Sequence, residues 1–247
     1  MFSSYDIARF SDIVYSEVLS FNQFSKLDLK DPYLIVNNDD LVFYKQKQFV
    51  IKGGDIIFTH TGNLDNLFYH LKTLDEKFQL TLITHQSDTM INKKLYKKKP
   101  KCINNWFALN VDYKNDALIP IPLGIANEHW HKKNITSKNN LTKIDISIFN
   151  KEESNVYLNF NESTNREERG WIKNYFNNFS WAEIEKEELN INEFSEKIKN
   201  ATFVICPWGN GVDTHRLWEA LSLGSIPIVK KHITHKNLDG LPIMFVD

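Results

Sequence analysis

The sequence predicts an α/β protein made of two small doubly wound lobes of parallel sheet that face each other across a cleft. Three observations predict it. Short apolar runs alternate with amphipathic stretches of ~10–15 residues, the pattern of strands joined by crossover helices. The alternation breaks at KKNITSKNNLTK (132–143), which is polar, basic and unpatterned, and then begins again. The length of 247 residues suits one large domain or two small ones, at ~150 residues per domain. The lobes are therefore set at 1–131 and 144–247, with 132–143 as linker. A single continuous sheet is the alternative arrangement.

In the first lobe, Ile13, Val14, Val18 and Leu19 fall at helical spacing and predict a leading helix. YLIVNNDDLVF reads as a strand, a polar turn and a second apolar run. A strand at Asp55–Thr59 runs into a small-residue turn at His60–Asn63 and a helix from Leu64 to Leu74. The next strand, Leu80–Thr84, ends in polar His85, Gln86, Ser87 and Asp88. WFALNVDY is a helix or a strand. ALIPIPLGI is a buried extended segment, because Pro120 and Pro122 exclude a central helix.

In the second lobe NVYLNF is a strand, and NREERGWIKNYF a helix with Trp171, Ile172, Tyr175 and Phe176 on its apolar side. INEFSEKIKN is a short helix with Asn192 as N-cap and Phe194 and Ile198 one turn apart. ATFVICP is a buried strand, WGNGVD a loop, THRLWEALSLG a helix and SIPIVK another buried strand. The order is β-α-α-β-α-β.

Composition excludes several function classes. Hydrophobic residues make up 42% and charged residues 25%, enough apolar material for a packed core. Lys plus Arg is 30 against 31 Asp plus Glu, a net charge of -1, which removes the electrostatic case for a nucleic-acid binder. No apolar run approaches the ~20 residues of a membrane span, and MFSSYDIARF is not a signal peptide. Cys102 and Cys206 cannot make a disulfide framework or a zinc finger. The expectation is a reduced, cytoplasmic protein.

Arginine is rare: Arg9, Arg166, Arg169 and Arg216 are the only four, and three of them lie in the two densest polar motifs. Guanidinium grips phosphate or carboxylate in a bidentate fork that lysine cannot copy. The richest motif is CPWGNGVDTHRLWEALSLGSIPIV (206–229). A buried strand ends at Cys206 and Pro207 stops its ladder. Gly209 and Gly211 permit positive φ or close approach by a ligand. Asp213 or Thr214 caps the helix that follows, whose first amides point into the loop and make an anion site with Arg216 in its first turn. Such loops lie beyond the carboxyl ends of the strands, where ligands bind in open α/β sheets. Leu217, Ala220, Leu221 and Gly224 form the core-facing stripe, leaving His215, Arg216 and Glu219 on the other side. The bland reading is an exposed Arg–Glu pair worth a few tenths of a kcal/mol. The glycines match neither a dinucleotide fingerprint nor a P-loop.

This stretch, above all GNGVDTHRLWEALSLGSIPIV, resembles the donor-binding end of exostosin-like glycosyltransferases. WFALNVDYKNDALIPIPLGIANEHW (106–130) and YLNFNESTNREER (157–169) lend support. The resemblance implies two Rossmann-like lobes in the GT-B arrangement, with a nucleotide-sugar held mainly by the second. It implies that Glu219 accepts from the ribose hydroxyls, and that Arg216 with one of Arg166 and Arg169 balances the diphosphate. Trp208, Gly209, Asn210, Gly211, Asp213, Thr214 and His215 complete the donor-side candidates. By the resemblance a longer chain is expected, with a membrane anchor and a terminal helix after PIMFVD that crosses back between the lobes.

Sugar transfer from a nucleotide-sugar makes a diphosphate leaving group whose growing charge needs a metal or fixed cations and amides. No two aspartates stand two apart, so the metal-holding Asp-x-Asp of the other common transferase fold is missing. The expectation is metal-independent transfer without a cofactor. The first lobe supplies the base that takes the acceptor's proton, Asp88 or His60, although both residues also suit simple turn caps. Trp208 is the stacking candidate and Trp171 a core filler. The pairs His129/His131 and His232/His235 lack a nearby carboxylate or thiolate at ligand spacing. The basic run from Lys93 to Lys101 reads as a solvated surface.

The leading function is transfer of a sugar, from a UDP-sugar first among donors, to a glycan acceptor in polysaccharide biosynthesis. Inversion at the anomeric carbon is implied by the resemblance. The alternative is a non-catalytic glycan- or nucleotide-binding module.

Overall fold

The computed structural model describes residues 3–15, 17–20, 22, 25, 32–37, 42–46, 50–126, 155–185 and 189–247. The chain divides into two compact units, Phe2–Ile121 and Pro122–Asp247. Each is built on an open, fully parallel five-stranded sheet, so the α/β class holds in both.

The first unit opens with α1 (Ser4–Phe10), whose capping box pairs Ser3 with Asp6. There follow β1 (Ile13–Val14), β2 (Glu17–Leu19), β3 (Pro32–Asn37), β4 (Val42–Gln46) and β5 (Ile56–His60). Helix α2 (Leu64–Leu71) leads to β6 (Leu80–His85), β7 (Ile91–Asn92), α3 (Lys93–Tyr96), β8 (Ile103–Ala108), β9 (Val111–Asp112) and β10 (Leu118–Pro120). The main sheet runs β1-β5-β6-β8-β10. Strands β2, β4 and β3 form a small antiparallel sheet, and β7 pairs with β9.

One register row, Ile13–Ile57–Leu82–Trp106–Leu118, crosses the main sheet and is buried throughout. It packs on Leu64, Leu67, Phe68 and Leu71 of α2. Each large apolar side chain buried this way contributes about 1.5–3 kcal/mol. The adjacent row begins Val14–Phe58–Ile83 and meets Ala8 and Val42 on the opposite face.

That alternation corrects the leading helix. Ile13 and Val14 belong to opposite faces of one strand, a period of two that no helix provides. The true helix precedes them. Pro120 sits in edge strand β10, where its missing donor costs no ladder bond.

The second unit contains β11 (Val156–Leu158), α4 (Arg166–Phe176), β12 (Ala182–Ile184), α5 (Ile191–Asn200), β13 (Phe203–Ile205), α6 (His215–Ser222), β14 (Ile226–Lys230) and β15 (Met244–Val246). Its sheet order is β12-β11-β13-β14-β15. The chain starts at β11, steps outward to β12, then returns to the other side of β11. The direction of winding therefore reverses between β11 and β13.

Strands β12 and β15 are additions to the expected β-α-α-β-α-β order. Both are short edge strands, and neither is a buried apolar run of the kind that marks β11 and β13. Tyr157, Val204, Cys206 and Val229 face Phe194 and Ile198 of α5 and Leu217, Trp218 and Leu221 of α6 in the core.

Three local expectations change. Asn190, not Asn192, caps α5, through a box with Glu193. Trp171 and Tyr175 are 65% and 49% exposed and stack on each other at 5.5 Å, and the buried residue of α4 is Arg169. Gly224 is not part of a stripe: at φ +82° it ends α6 in a Schellman turn, with Ser225 N–H on Ala220 O at 2.9 Å and Gly224 N–H on Leu221 O at 3.3 Å.

The division after Ile121 falls ten residues short of the expected boundary at 131 (131 minus 121). Leu123 and Ile125 pack on the second unit's core, and the Leu123 N–H donates to Asp213 at 2.7 Å. The expected linker 132–143 lies outside the described residues, as do His129 and His131.

Candidate functional site

The winding reverses between β11 and β13, and the carboxyl ends of strands at such a reversal are where open α/β sheets bind ligands. The loop after β11 carries Asn159 and Asn161 and leads into α4 with Arg166 and Arg169. The loop after β13 carries Trp208 to Asp213 and leads into α6 with His215, Arg216 and Glu219. All eleven donor-side candidates thus sit on two neighbouring loops and the helix starts behind them.

Arg216 is turned inward. Its Nε donates to Glu219 Oε2 at 3.1 Å, its Nη1 donates to the Asn159 carbonyl, and its guanidinium carbon lies 4.4 Å from the Phe194 ring centroid. Glu219 is 2% exposed. The reading of an exposed Arg–Glu pair does not hold, because α6 is buried nearly all round, Trp218, Glu219 and Ser222 included.

Arg169 is also buried. Its Nε donates to Trp208 O at 2.8 Å, Nη1 to Asn161 O at 2.8 Å and Nη2 to Pro207 O at 3.3 Å. Burial, then the neighbouring Arg216 charge, lowers its pKa. Two guanidinium groups therefore feel each other's charge beneath one pair of loops. Arg166, on the first turn of α4, is exposed and has no side-chain partner among the described residues.

The glycines act differently than expected. Neither Gly209 nor Gly211 has positive φ. A Cβ at Gly209 would lie 2.9 Å from Arg169 Nη2, so the close approach that Gly209 permits is by a side chain of the same protein. Asn210 is exposed and Gly211 buried.

Thr214 is the N-cap of α6 but makes no side-chain cap bond. Asp213 instead accepts from Leu123 N–H, from Trp218 Nε1–H at 3.0 Å and from the Thr214 backbone. Burial outweighs these bonds and raises its pKa to about 7. His215 Nδ1 lies 2.9 Å from Gly124 O. Trp208 has Lys230 Nζ 4.9 Å from its ring centroid and His232 against it edge-on, so its faces are already partly occupied.

His60 and Asp88 lie in the first unit, at the end of β5 and in the loop after β6. His60 Nδ1 accepts from Gly62 N–H at 3.0 Å, capping the turn Thr61–Asn63. Burial lowers its pKa, against a hydrogen bond to the Gln86 backbone. Asp88 is exposed. His232 caps the turn Ile233–His235, and burial, with a smaller push from His232, lowers His235 to about 4. Among the described residues no group of three or more His, Cys, Asp or Glu is placed to hold a metal.

Sequence reasoning missed Asn159, Asn161, Glu168, Phe194 and Lys230. Only Lys230 left a legible signal, as the first charge after a buried strand and hence at the sheet's carboxyl edge. The others enter through backbone carbonyls or through contacts with no sequence pattern.

Residues 128–241, a little under half of the chain, match the family model described as the RXYLT1 C-terminal domain. This match relates the second half to a glycosyltransferase-related family and so to sugar substrates. No curated protein sequence matches the chain. No helix among the described residues is long and apolar enough to cross a membrane.

Proposed function

We propose that the protein is an exostosin-like, GT-B glycosyltransferase that moves a sugar from a nucleotide-sugar, UDP-sugar first, to a glycan acceptor with inversion and without a metal. The observation that carries this reading is the pair Arg169 and Arg216, held beneath two loops at the point where the sheet reverses. The Arg216 charge helps to lower the Arg169 pKa, and an anion bound beside the two cations relieves that repulsion. A diphosphate has the right charge, and it would lie beside the start of α6, whose N-cap Thr214 makes no side-chain cap bond.

In this reading Arg216 and the exposed Arg166 offset the charge that grows on the leaving diphosphate. Glu219, oriented by Arg216, accepts from the ribose. Asp88 takes the acceptor's proton in preference to His60, whose ring is already engaged at Nδ1 and with Gln86.

The test is a thermal-shift screen of UDP, GDP and their sugars, with and without EDTA. Saturation at 100 times Kd adds about 2.7 kcal/mol and raises the melting temperature. The expected rise survives EDTA. No shift with any nucleotide sinks the proposal.

A second reading, a binding module without turnover, is favoured by one observation: Arg169 and Arg216 both already hold partners within the chain. Nucleotide binding with neither hydrolysis nor transfer decides for it.

A further inference from the structure

We infer that Arg169 is a positioning residue: it locks the loop after β13 onto the loop after β11, and acts on the nucleotide through the surface those loops form with Arg216. The inference rests on the nucleotide-sugar reading above and assigns Arg169 a part that reading leaves open.

The geometry is that of a clamp. Each of the three guanidinium nitrogens donates to a backbone carbonyl: Asn161 in one loop, Pro207 and Trp208 in the other. A planar fork suits this and an ammonium does not, because three acceptors in fixed directions need three donors in fixed directions. Carbonyls take three of the five guanidinium N–H groups and the side chain is only 8% exposed, so a bidentate grip on phosphate would compete with bonds inside the chain.

The adjacent residue completes the clamp. Glu168 Oε1 accepts from Trp208 N–H at 3.3 Å, while Arg169 Nε donates to Trp208 O. Consecutive residues of α4 thus hold both ends of residue 208. Gly209 is the matching surface, since its missing Cβ leaves room for Nη2. Carbonyl dipoles repel a diphosphate, and three of them are bound up by this one cation.

The experiment measures UDP affinity by calorimetry for the wild-type chain, R169K, G209A and R216A. The near-ultraviolet circular dichroism of Trp208, taken as the difference from W208F in each background, is recorded alongside. R169K keeps the charge but loses the fork, and G209A keeps every charge while displacing Nη2.

The expected result is that both variants unfold cooperatively, alter the Trp208 signal and bind UDP at least tenfold more weakly. If R169K does not fold, G209A carries the same test. Wild-type UDP affinity retained within twofold in G209A, with a changed Trp208 signal, overturns the positioning role. So does full affinity in R169K, because a bare charge then suffices. If the wild-type chain binds no UDP, GDP or ADP, the nucleotide reading itself fails, a result distinct from either of these.

Discussion

Arg216 and Glu219 form an ion pair of 3.1 Å inside the second unit, with side chains only 12% and 3% exposed. The two residues stand one turn apart on α6, a spacing that on a surface helix is worth a few tenths of a kcal/mol. Phe194 beneath the guanidinium and the Asn159 carbonyl beside it change that value, because they replace water around the pair.

Breaking the pair therefore costs stability as well as binding. R216A and E219A are each expected to destabilise the second unit by about 3–5 kcal/mol, since each leaves a buried charge without compensation. The apolar double replacement R216M/E219L recovers most of this loss and still abolishes the nucleotide-induced thermal shift. Urea unfolding with and without UDP checks both halves. E219A of wild-type stability would contradict the pairing.

Asp213 makes the second unit's stability depend on pH. Its folded pKa, about 7, lies above the ordinary 3.8. Between pH 4 and 7 the folded state holds a proton that the unfolded chain has released. The contribution is thus complete below about pH 4, and stability falls as pH rises toward 7, by at most about 1.4 kcal/mol per unit. D213N cannot ionise, so its unfolding free energy lacks this slope. Superimposable pH profiles for the two proteins would refute the assignment.

His60 and Asp88 respond in opposite ways. H60A removes a cap and is expected to cost about 1 kcal/mol of stability, with a modest effect on turnover. D88N, at an exposed position, stays within ~0.5 kcal/mol of wild-type stability but lowers kcat by about 10²–10⁴ as a general base would. Unchanged kcat in D88N removes it from the reaction.

The aromatic residues of α4 and α5 carry different weights: Trp171 leaves the core it was expected to fill, and Phe194 keeps its place on the apolar face. W171A, on the surface, is expected within ~0.5 kcal/mol of wild type. F194A, at 5% exposure, is expected to cost about 3–5 kcal/mol and to free Arg216 from its ring. F194L restores most of the packing but not the cation–π contact, so UDP affinity recovers less than stability does. Equal recovery of both would show that the ring's face contributes nothing.

The sequence by itself determined the α/β class and most strands, because buried parallel strands such as ATFVICP and SIPIVK are continuous apolar runs that interrupt amphipathic helices. It also located the loop from Pro207 to Asp213, since Pro and Gly beyond such a strand admit little else. The edge strands β12 and β15 were illegible, as both are short and neither is a buried apolar run. Only the tertiary structure decided the orientation of polar side chains. A helical projection separates apolar from polar faces but cannot tell that α6 is enclosed all round, which turns Arg216 and Glu219 into a buried pair. Nor does any local pattern show that Gly209 makes room for Arg169, forty positions earlier (209 minus 169), because that fit exists only once β11 and β13 lie side by side.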